Sequence, residues 1–322
     1  MSTLALPALT ALGLPVDTND AAFGWLRSSE DLLGDPAALQ ARLEDDGYLL
    51  IRNFFPREII RTARLSMLRR LDGANLLDKA HPLEDGIATK DKTITFMPEL
   101  ARDNPDVKRV VFGPEIVGFY ENIFGGPIRH FDYIWVRSLG RGHGTSPHCD
   151  LVYMGRGTHR LLTCWIPYGE VPVEQSPLML LEDSHKKSAR IKNYLESDVD
   201  TYCENRPEQV KKVKEEGGWS HAGWLSNNPV SLREKFGGRW LTAHFQPGDF
   251  LTFRMDMIHG SLDNATDRVR LSTDTRYQPA NEPIDERWIG ANPAAHGKAG
   301  KRGRTARRCW TMPPNRGGSC CS

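Results

Sequence analysis

The sequence predicts a mainly β fold, a jelly roll whose core is packed by helices near the N-terminus. Two observations support this prediction. A helix-periodic stretch lies in the first third of the chain, and several short apolar segments separated by Gly, Pro and Asp follow residue 125. Many short strands between such turn residues are typical of barrels and sandwiches, and a chain of 322 residues with helical additions can form one such unit.

The helices come first along the chain. Pro56 begins a helix, because its fixed φ and missing N–H suit the first helical turn. Apolar residues then recur at three- and four-residue steps and give one core-facing stripe: Ile60, Ala63, Met67 and Leu71. We predict a second helix between Pro114 and Phe124, which ends at Gly125-Gly126.

The strands follow the helices. We predict them at Ile128–Val136, Leu161–Pro167, Leu178–Leu181, Trp240–Phe245, Phe250–Ile258 and Arg268–Tyr277. A polar insertion, residues 186–239, separates the third strand from the fourth and has a charged, helical pattern around 206–216. It forms either a lid over a substrate site or a helix packed outside the barrel, and function often lies on such connections.

Charge divides the chain into a body and a tail. Residues 298–322 contain seven basic and no acidic residues, so the net charge of +1 leaves −6 for residues 1–297. We predict a single domain over 1–297, with a helical part at 1–124 and a jelly-roll core at 125–280. The tail has too few apolar residues for burial to offset the entropy lost on ordering, so we expect it to be disordered. It is either a solvated extension or a contact for nucleic acid.

Composition also indicates the compartment. No apolar run approaches the roughly 18 residues of a membrane span, and no basic segment followed by an apolar stretch begins the chain, so we predict neither membrane contact nor a signal peptide. The six cysteines are scattered and form no disulfide framework or zinc motif. We therefore expect a cytoplasmic protein.

The most informative residues are His148, Asp150 and His259, with Arg270 after them. Two imidazoles and one carboxylate are the set that holds Fe(II) while leaving positions open for a co-substrate and dioxygen. In an extended segment residues i and i+2 share a face, so His148 and Asp150 should point together and Cys149 away. Arg270 supplies a planar fork for a carboxylate. Metal and fork together indicate a 2-oxoglutarate-dependent oxygenase.

Three segments resemble the phytanoyl-CoA dioxygenase family in order and spacing. They are SPHCDLVY at 146–153, SPLMLLEDSHK at 176–186 and HGS at 259–261, and DGYLLIRNFF at 46–55 resembles the family's opening strand. The resemblance covers about residues 40–280. It implies a double-stranded β-helix, a cupin-like jelly roll, with the metal ligands at its mouth. Glu182-Asp183 departs from the family, where glycine is common before the Ser-His pair.

The resemblance also implies contacts around the metal. Candidates for binding 2-oxoglutarate are Arg270, Ser261 and Trp165. Independently of the resemblance, Tyr153 and Trp224, which lies in the polar insertion, are candidates for binding substrate. Lys90 and Lys92 lie where the family can place a lysine near the co-substrate. Arg268, two residues before Arg270, is a second candidate for the carboxylate. The plainer interpretations are packing for the tryptophan, a turn hydroxyl for the serine and solvent exposure for the lysines.

The implied activity is that of an Fe(II)- and 2-oxoglutarate-dependent dioxygenase. Such an enzyme uses O2 to hydroxylate an unactivated C–H bond of a small-molecule metabolite and releases succinate and CO2. Asp150 favours hydroxylation, because family members that halogenate have a small residue there. The alternatives are a nucleic-acid oxidative demethylase, a non-catalytic metal-binding jelly roll, and a zinc or manganese enzyme that does not use 2-oxoglutarate. The last two leave Arg270 unexplained.

Overall fold

The computed structural model of the chain describes residues 6–200 and 223–296. Its strands are β1 (Thr10–Ala11), β2 (Leu14–Pro15), β3 (Phe23–Trp25), β4 (Tyr48–Ile51), β5 (Ile128–His130), β6 (Trp135–Leu139), β7 (Leu162–Pro167), β8 (Leu178–Leu181), β9 (Trp240–Thr242), β10 (Phe250–Arg254), β11 (His259–Ser261) and β12 (Arg270–Pro279). Its α-helices are α1 (Pro36–Asp46), α2 (Arg57–Gly73), α3 (Pro105–Val111), α4 (Pro114–Phe124), α5 (Leu151–Met154), α6 (Lys192–Leu195) and α7 (Pro229–Phe236). Short 3-10 helices lie at Glu30–Leu32, Leu83–Asp85, Pro98–Leu100, His185–Ile191 and Glu286–Trp288.

Two sheets build the core of the fold. The larger sheet has the strand order β4-β10-β7-β12-β5, and β6 also pairs with β12. The smaller sheet has the order β11-β8-β9-β3, in which β3 runs parallel to β9 and the other pairs are antiparallel. The predicted class, a mainly β jelly roll with helical additions, is confirmed.

Side chains alternate between two hydrophobic clusters along the central strands. In β7, Leu162, Cys164 and Ile166 lie in a cluster shared with the N-terminal helices. Trp165, between them in sequence, lies in a second cluster with side chains of the smaller sheet. Because a strand has a side-chain period of two, Thr163 also points to the inner face, between the sheets.

The N-terminal helices cover the outer face of the larger sheet. The predicted stripe of α2 is fully buried: Ile60, Ala63, Met67 and Leu71. Helix α4 begins at Pro114 and ends at Phe124, and it is capped by Gly125, whose φ of 72° is left-handed and suits glycine. The Tyr120 hydroxyl of α4 donates to Thr252 of β10 at 2.8 Å. Both predicted helices are confirmed.

The N-terminal part contains strands as well as helices, and β4 lies within the segment 46–55, where the family resemblance predicts an opening strand. Strand β4 pairs with β10 at the edge of the larger sheet, and β3 pairs with β9 in the smaller one. All four residues of β4 are buried. A strand covered on both faces is a continuous apolar run, and periodicity alone does not distinguish such a run from a helical segment.

Five of the six predicted strands have different bounds from those observed. The stretch 128–136 is interrupted, because β5 ends at His130 and β6 begins at Trp135. Strand β10 stops at Arg254, and a turn then carries the chain into the smaller sheet, where β11 starts at His259. The bounds of β7, β9 and β12 differ by one to three residues, and β8 is as predicted.

Several sequence predictions lie outside the described residues. These are the helical part at 206–216 and the basic tail, 298–322. Of the polar insertion, the described portions are 186–200 and 223–239, which include α6 and α7. Where the chain is described, no helix combines the length and apolar character needed to cross a bilayer.

Candidate active site

Three buried side chains converge near the mouth of the jelly roll. One potential ligand atom from each of His148, Asp150 and His259 lies within 4.8 Å of the others. The Nε2 atom of each histidine is 3.8 Å from Oδ1 of Asp150. The fold therefore brings together the three residues that the sequence analysis selected as metal ligands.

Backbone pairing sets the two histidines side by side. His148 and His259 exchange both N–H···O hydrogen bonds, each 2.9 Å long, and their ring centroids are 4.1 Å apart. Each Nδ1 faces the carbonyl two residues earlier, Ser146 at 2.8 Å and Met257 at 3.1 Å. Since a carbonyl can only accept, each Nδ1 carries the proton and each Nε2 presents its lone pair.

Asp150 reaches the site from the start of a helical turn, so the prediction of an extended His-x-Asp pair was wrong. Its φ of −65° and ψ of −23° are helical, and α5 follows directly. Cys149 nevertheless points away from the site, into a cluster packed on the smaller sheet. His148 and Asp150 point to the same site because the chain turns after His148. In an extended segment they would have done so because alternate side chains share a face.

The larger sheet holds the carboxylate of Asp150. Its Oδ2 accepts hydrogen bonds from the Thr163 hydroxyl and from Nη2 of Arg276, the latter at 2.8 Å. Thr163 on β7 and Arg276 on β12 are directly opposed in the strand register, so their side chains share a face. With Oδ2 bonded in this way, Oδ1 is the oxygen that faces the two histidines.

Burial and charge keep the three groups in the states that bind a cation. Burial, reinforced by the neighbouring His259, lowers the pKa of His148 to about 3, and burial also lowers the pKa of His259. Burial alone would raise the pKa of Asp150, but the Arg276 guanidinium, the two histidines and the Thr163 hydroxyl together outweigh burial and hold that pKa below its usual range. Two neutral imidazoles and one carboxylate fit Fe(II) at neutral pH.

Arg270 is fully buried at the start of β12. Its Nε donates to the Ser176 carbonyl at 3.0 Å and its Nη1 to the Ser272 hydroxyl, while Cζ lies 5.6 Å from the centroid of the Trp165 ring. Desolvation lowers its pKa to about 9, so the guanidinium stays charged at neutral pH. The side chain lines a small cavity together with both metal-site histidines.

Two other candidates for the co-substrate have different positions. Ser261 lines the same small cavity, and its hydroxyl accepts a hydrogen bond from the Thr145 N–H at 2.8 Å. Trp165 packs against the Arg270 guanidinium between the sheets and is not among the residues that line the cavity. Trp165 would therefore influence a co-substrate indirectly, by fixing the position of the Arg270 guanidinium.

The other cationic side chains considered for the co-substrate, Arg268, Lys90 and Lys92, lie at the surface. Arg268 pairs with Asp85 at 3.2 Å, and its side chain is 53% exposed. Lys90 and Lys92 are exposed, and neither lines the cavities next to the metal site. The positions favour Arg270 over Arg268 as the carboxylate receptor, because a guanidinium already withdrawn from water binds an anion with less competition from solvent.

A cleft of about 350 Å³ opens beside the three candidate metal ligands. It is lined by Thr95, Phe96, Trp135, Arg137, Leu139, Gly144, Thr145, Ser146, His148, Asp150, Tyr153, Met154, Trp224, Arg276 and His296. Tyr153 and Trp224, predicted to contact substrate, are both in this lining, and Trp224 is 48% exposed. Aromatic and aliphatic walls with a few polar groups are typical of a pocket for a small molecule.

The small cavity near Arg270 adjoins this cleft. The two cavities share Arg137, Thr145 and His148 as lining residues. The small cavity itself has a volume of about 10 Å³, which is room for about one water molecule. A five-carbon dicarboxylate can therefore reach Arg270 only if lining side chains turn aside.

Four residues of the site were not identified from the sequence. Thr163 and Arg276 hold Asp150, and Arg137 pairs through Nε with Oδ2 of Asp274 at 2.8 Å. Arg276 and Asp274 lie two residues apart on the inner face of β12. Charged residues at every second position of β12, Asp274 and Arg276 after Arg270 and Ser272, were the signal that could have indicated two of them.

Comparison with known proteins identifies relatives of the chain. The family model described as phytanoyl-CoA dioxygenase (PhyH) matches residues 43–272. A 1-deoxypentalenic acid 11-beta-hydroxylase from Streptomyces exfoliatus is 27% identical over 262 residues, which cover 78% of this chain and 83% of that protein. The enzyme of the same name from Streptomyces arenae is 26% identical over 263 residues, with the same coverage.

Solved structures share the fold. The epimerase SnoN, in complex with Fe3+, alpha ketoglutarate and nogalamycin RO, aligns with a TM-score of 0.52 and 22% identity over 82% of this chain and 95% of that chain. The carbocyclase SnoK from nogalamycin biosynthesis aligns with a TM-score of 0.53 and 14% identity over 80% and 89%. EctD from S. alaskensis aligns with a TM-score of 0.52 and 16% identity over 88% and 90%.

Proposed function

Because the chain belongs to the phytanoyl-CoA dioxygenase family of Fe(II)- and 2-oxoglutarate-dependent oxygenases, we propose that His148, Asp150 and His259 hold the iron of a small-molecule hydroxylase. One observation carries the ligand assignment. Two Nε2 atoms and one carboxylate oxygen converge, while the other polar atom of each side chain is already hydrogen-bonded. The pattern is that of a metal site whose ligands are oriented by their neighbours.

The iron and 2-oxoglutarate, when bound, supply the oxidation: one oxygen atom of O2 enters the substrate, and the other enters succinate as CO2 is released. The protein provides binding and orientation. We assign the distal carboxylate of 2-oxoglutarate to Arg270, whose fork can bind both oxygens, and a hydroxyl contact to Ser261. Thr163 and Arg276 keep Asp150 ionised and fix which of its oxygens faces the metal.

We assign hydroxylation because of the relatives and the carboxylate ligand. The fold alone does not decide the outcome, since an epimerase and a carbocyclase share it. The curated relatives are hydroxylases, and Asp150 occupies the position where a halogenase needs a small residue. Family membership and the buried Arg270 favour an oxygenase over a non-catalytic metal protein or an enzyme that does not use 2-oxoglutarate.

We also place the protein in the cytoplasm. Cys149 and Cys164 are free, buried thiols within the described residues. Free thiols suit a reducing compartment, where disulfides seldom persist.

Replacing His259 by alanine tests the proposed function. Without one of the three ligands the protein should lose stoichiometric iron, measured by metal analysis after dialysis, and should form no succinate from 2-oxoglutarate. His244→Ala is the matched control, because His244 is exposed and stacks on Trp25 at the surface. Wild-type iron content and succinate formation in His259→Ala would refute the ligand assignment.

A further inference from the structure

We propose that the substrate is an apolar molecule with a free carboxylate, and that Arg137 binds this carboxylate in the 350 Å³ cleft. The inference deepens the function proposed above and rests on it, because it takes this cleft to be the substrate pocket. It concerns the class of substrate, which neither the metal ligands nor Arg270 determines.

Arg137 presents an unused binding edge to the cleft. It lies on β6, its Nε donates to Asp274, and its side chain remains 23% exposed while lining the cleft. Its Nη1 and Nη2 make no hydrogen bond with any residue in the described ranges, 6–200 and 223–296. A guanidinium anchored at Nε and open along its Nη1–Nη2 edge is arranged to accept a carboxylate in two parallel hydrogen bonds.

The charges at the site leave one positive charge unbalanced. The ionised side chains that line the two cavities are three arginines, Arg137, Arg270 and Arg276, and two carboxylates, Asp150 and Asp274. Iron adds two positive charges and 2-oxoglutarate two negative ones, which cancel. His296, also in the cleft lining, is hydrogen-bonded to Asp200, which lies outside that lining. A monoanionic substrate would make this partly buried site neutral.

Aromatic and aliphatic side chains form much of the remaining cleft wall. Trp135 and Met154 belong to a hydrophobic cluster, and Phe96 and Trp224 are exposed aromatics in the same lining, 45% and 48% exposed. Such a wall buries a hydrocarbon body rather than a polar one. A cationic substrate would meet two guanidinium groups, whereas a neutral ester or amide would leave the Arg137 edge without an anion.

Arg137 also lines the small cavity, so it could serve 2-oxoglutarate instead of the substrate. The distal carboxylate of 2-oxoglutarate has Arg270 as its partner in the function proposed above, and the 2-oxo acid end binds the metal. A second guanidinium is then left for a second anion. Separate measurements of 2-oxoglutarate and probe affinity distinguish these roles.

The test compares three probes that share one hydrocarbon body, of which one carries a carboxylate and two carry a neutral group. The full-length protein, loaded with Fe(II) and 2-oxoglutarate without oxygen, is titrated calorimetrically with 1-adamantanecarboxylate, its carboxamide and its methyl ester. Loss of a charge-assisted hydrogen-bonded pair should weaken binding of the amide and ester by about tenfold or more relative to the acid. Equal affinity for all three probes, or preference for the amide, overturns the proposal without any mutation.

Variants then locate the preference. Arg137→Gln should remove the preference for the acid, and Arg141→Gln is the matched control, because Arg141 makes the same Nε–carboxylate pair with Asp267 at the surface. Arg137→Gln leaves the Asp274 carboxylate without its partner and can destabilise the protein. In that case the double variant Arg137→Gln/Asp274→Asn is used in its place, because both side chains are then polar and uncharged. An Arg137→Gln protein that still prefers the acid but has lost 2-oxoglutarate affinity overturns the assignment.

Failure of this inference is distinguishable from failure of the proposed function. A protein that binds iron and forms succinate from 2-oxoglutarate, yet shows no preference for the acid, retains the function and loses the inference. A protein that prefers the acid through Arg137 but binds no iron retains the anion site and loses the function.

Discussion

Replacing Arg270 by alanine is the most direct test of the co-substrate site. The guanidinium is 1% exposed, is held at Nε by the Ser176 carbonyl, and lies against the Trp165 ring. Truncating one member of a buried charge pair costs roughly 2–5 kcal/mol. At about 1.4 kcal/mol per tenfold, the affinity for 2-oxoglutarate should fall by about thirtyfold to several thousandfold. Iron binding should change little, since Arg270 makes no hydrogen bond to the three ligands.

Arg268→Ala is the matched control for this experiment. Arg268 is two residues away, pairs with Asp85 at the surface and is 53% exposed, so its loss should shift 2-oxoglutarate affinity by less than about threefold. The assay is the 2-oxoglutarate dependence of succinate formation, with calorimetric binding as a second measurement. A large loss in Arg268→Ala with a small one in Arg270→Ala would show that the receptor is misassigned. No effect in either would remove the main support for the position of the co-substrate.

Two further substitutions test the buried charges. Asp150→Gly should abolish hydroxylation and allow at best weak chlorination in high chloride. It should also lower thermal stability, because Arg276 loses its carboxylate partner, a change that costs about 3–5 kcal/mol. Full hydroxylase activity in product analysis would show that Asp150 is not a ligand. Arg287→Ala should lower the free energy of unfolding by a similar amount in urea titrations, since Arg287 pairs with the buried Asp200 and Asp285, and an unchanged midpoint would contradict the importance of these pairs.

The candidate metal ligands could be selected from the sequence because their residue types and order are distinctive. A His-x-Asp pair, a distant histidine and an arginine eleven residues later remain a pattern even when the backbone between them is unknown. The backbone itself was predicted less well. Asp150 was placed on a strand, but its backbone is helical. Alternation and a tight turn both place residues i and i+2 together, so the spacing did not distinguish the two geometries.

Strand bounds failed where the chain changes sheets. The apolar run from Phe250 to Ile258 looks like one strand, yet β10 ends at Arg254 and the next residues form a turn. Met257 and Ile258 lie between β10 and β11 and are buried in two different clusters. Burial keeps the sequence apolar across the turn, so composition does not mark the point where His259 enters the smaller sheet.

Strand β12 shows which features of the site the sequence could have indicated and which it could not. Arg270, Ser272, Asp274 and Arg276 recur at steps of two, on a strand whose every residue is buried. Burying two guanidiniums and a carboxylate is costly unless each has a partner, so this alternation indicates a polar site between the sheets once the strand is known to be buried.

The partners of these charged residues could not be identified from the sequence. Asp274 meets Arg137 because β6 pairs with β12, and Arg276 meets Asp150 because Thr163 stands opposite it on β7. Those contacts depend on strand pairing, which no local pattern encodes. The unbalanced positive charge that we propose attracts a substrate carboxylate therefore depends on the pairing of β6, β7 and β12, and the sequence alone did not indicate it.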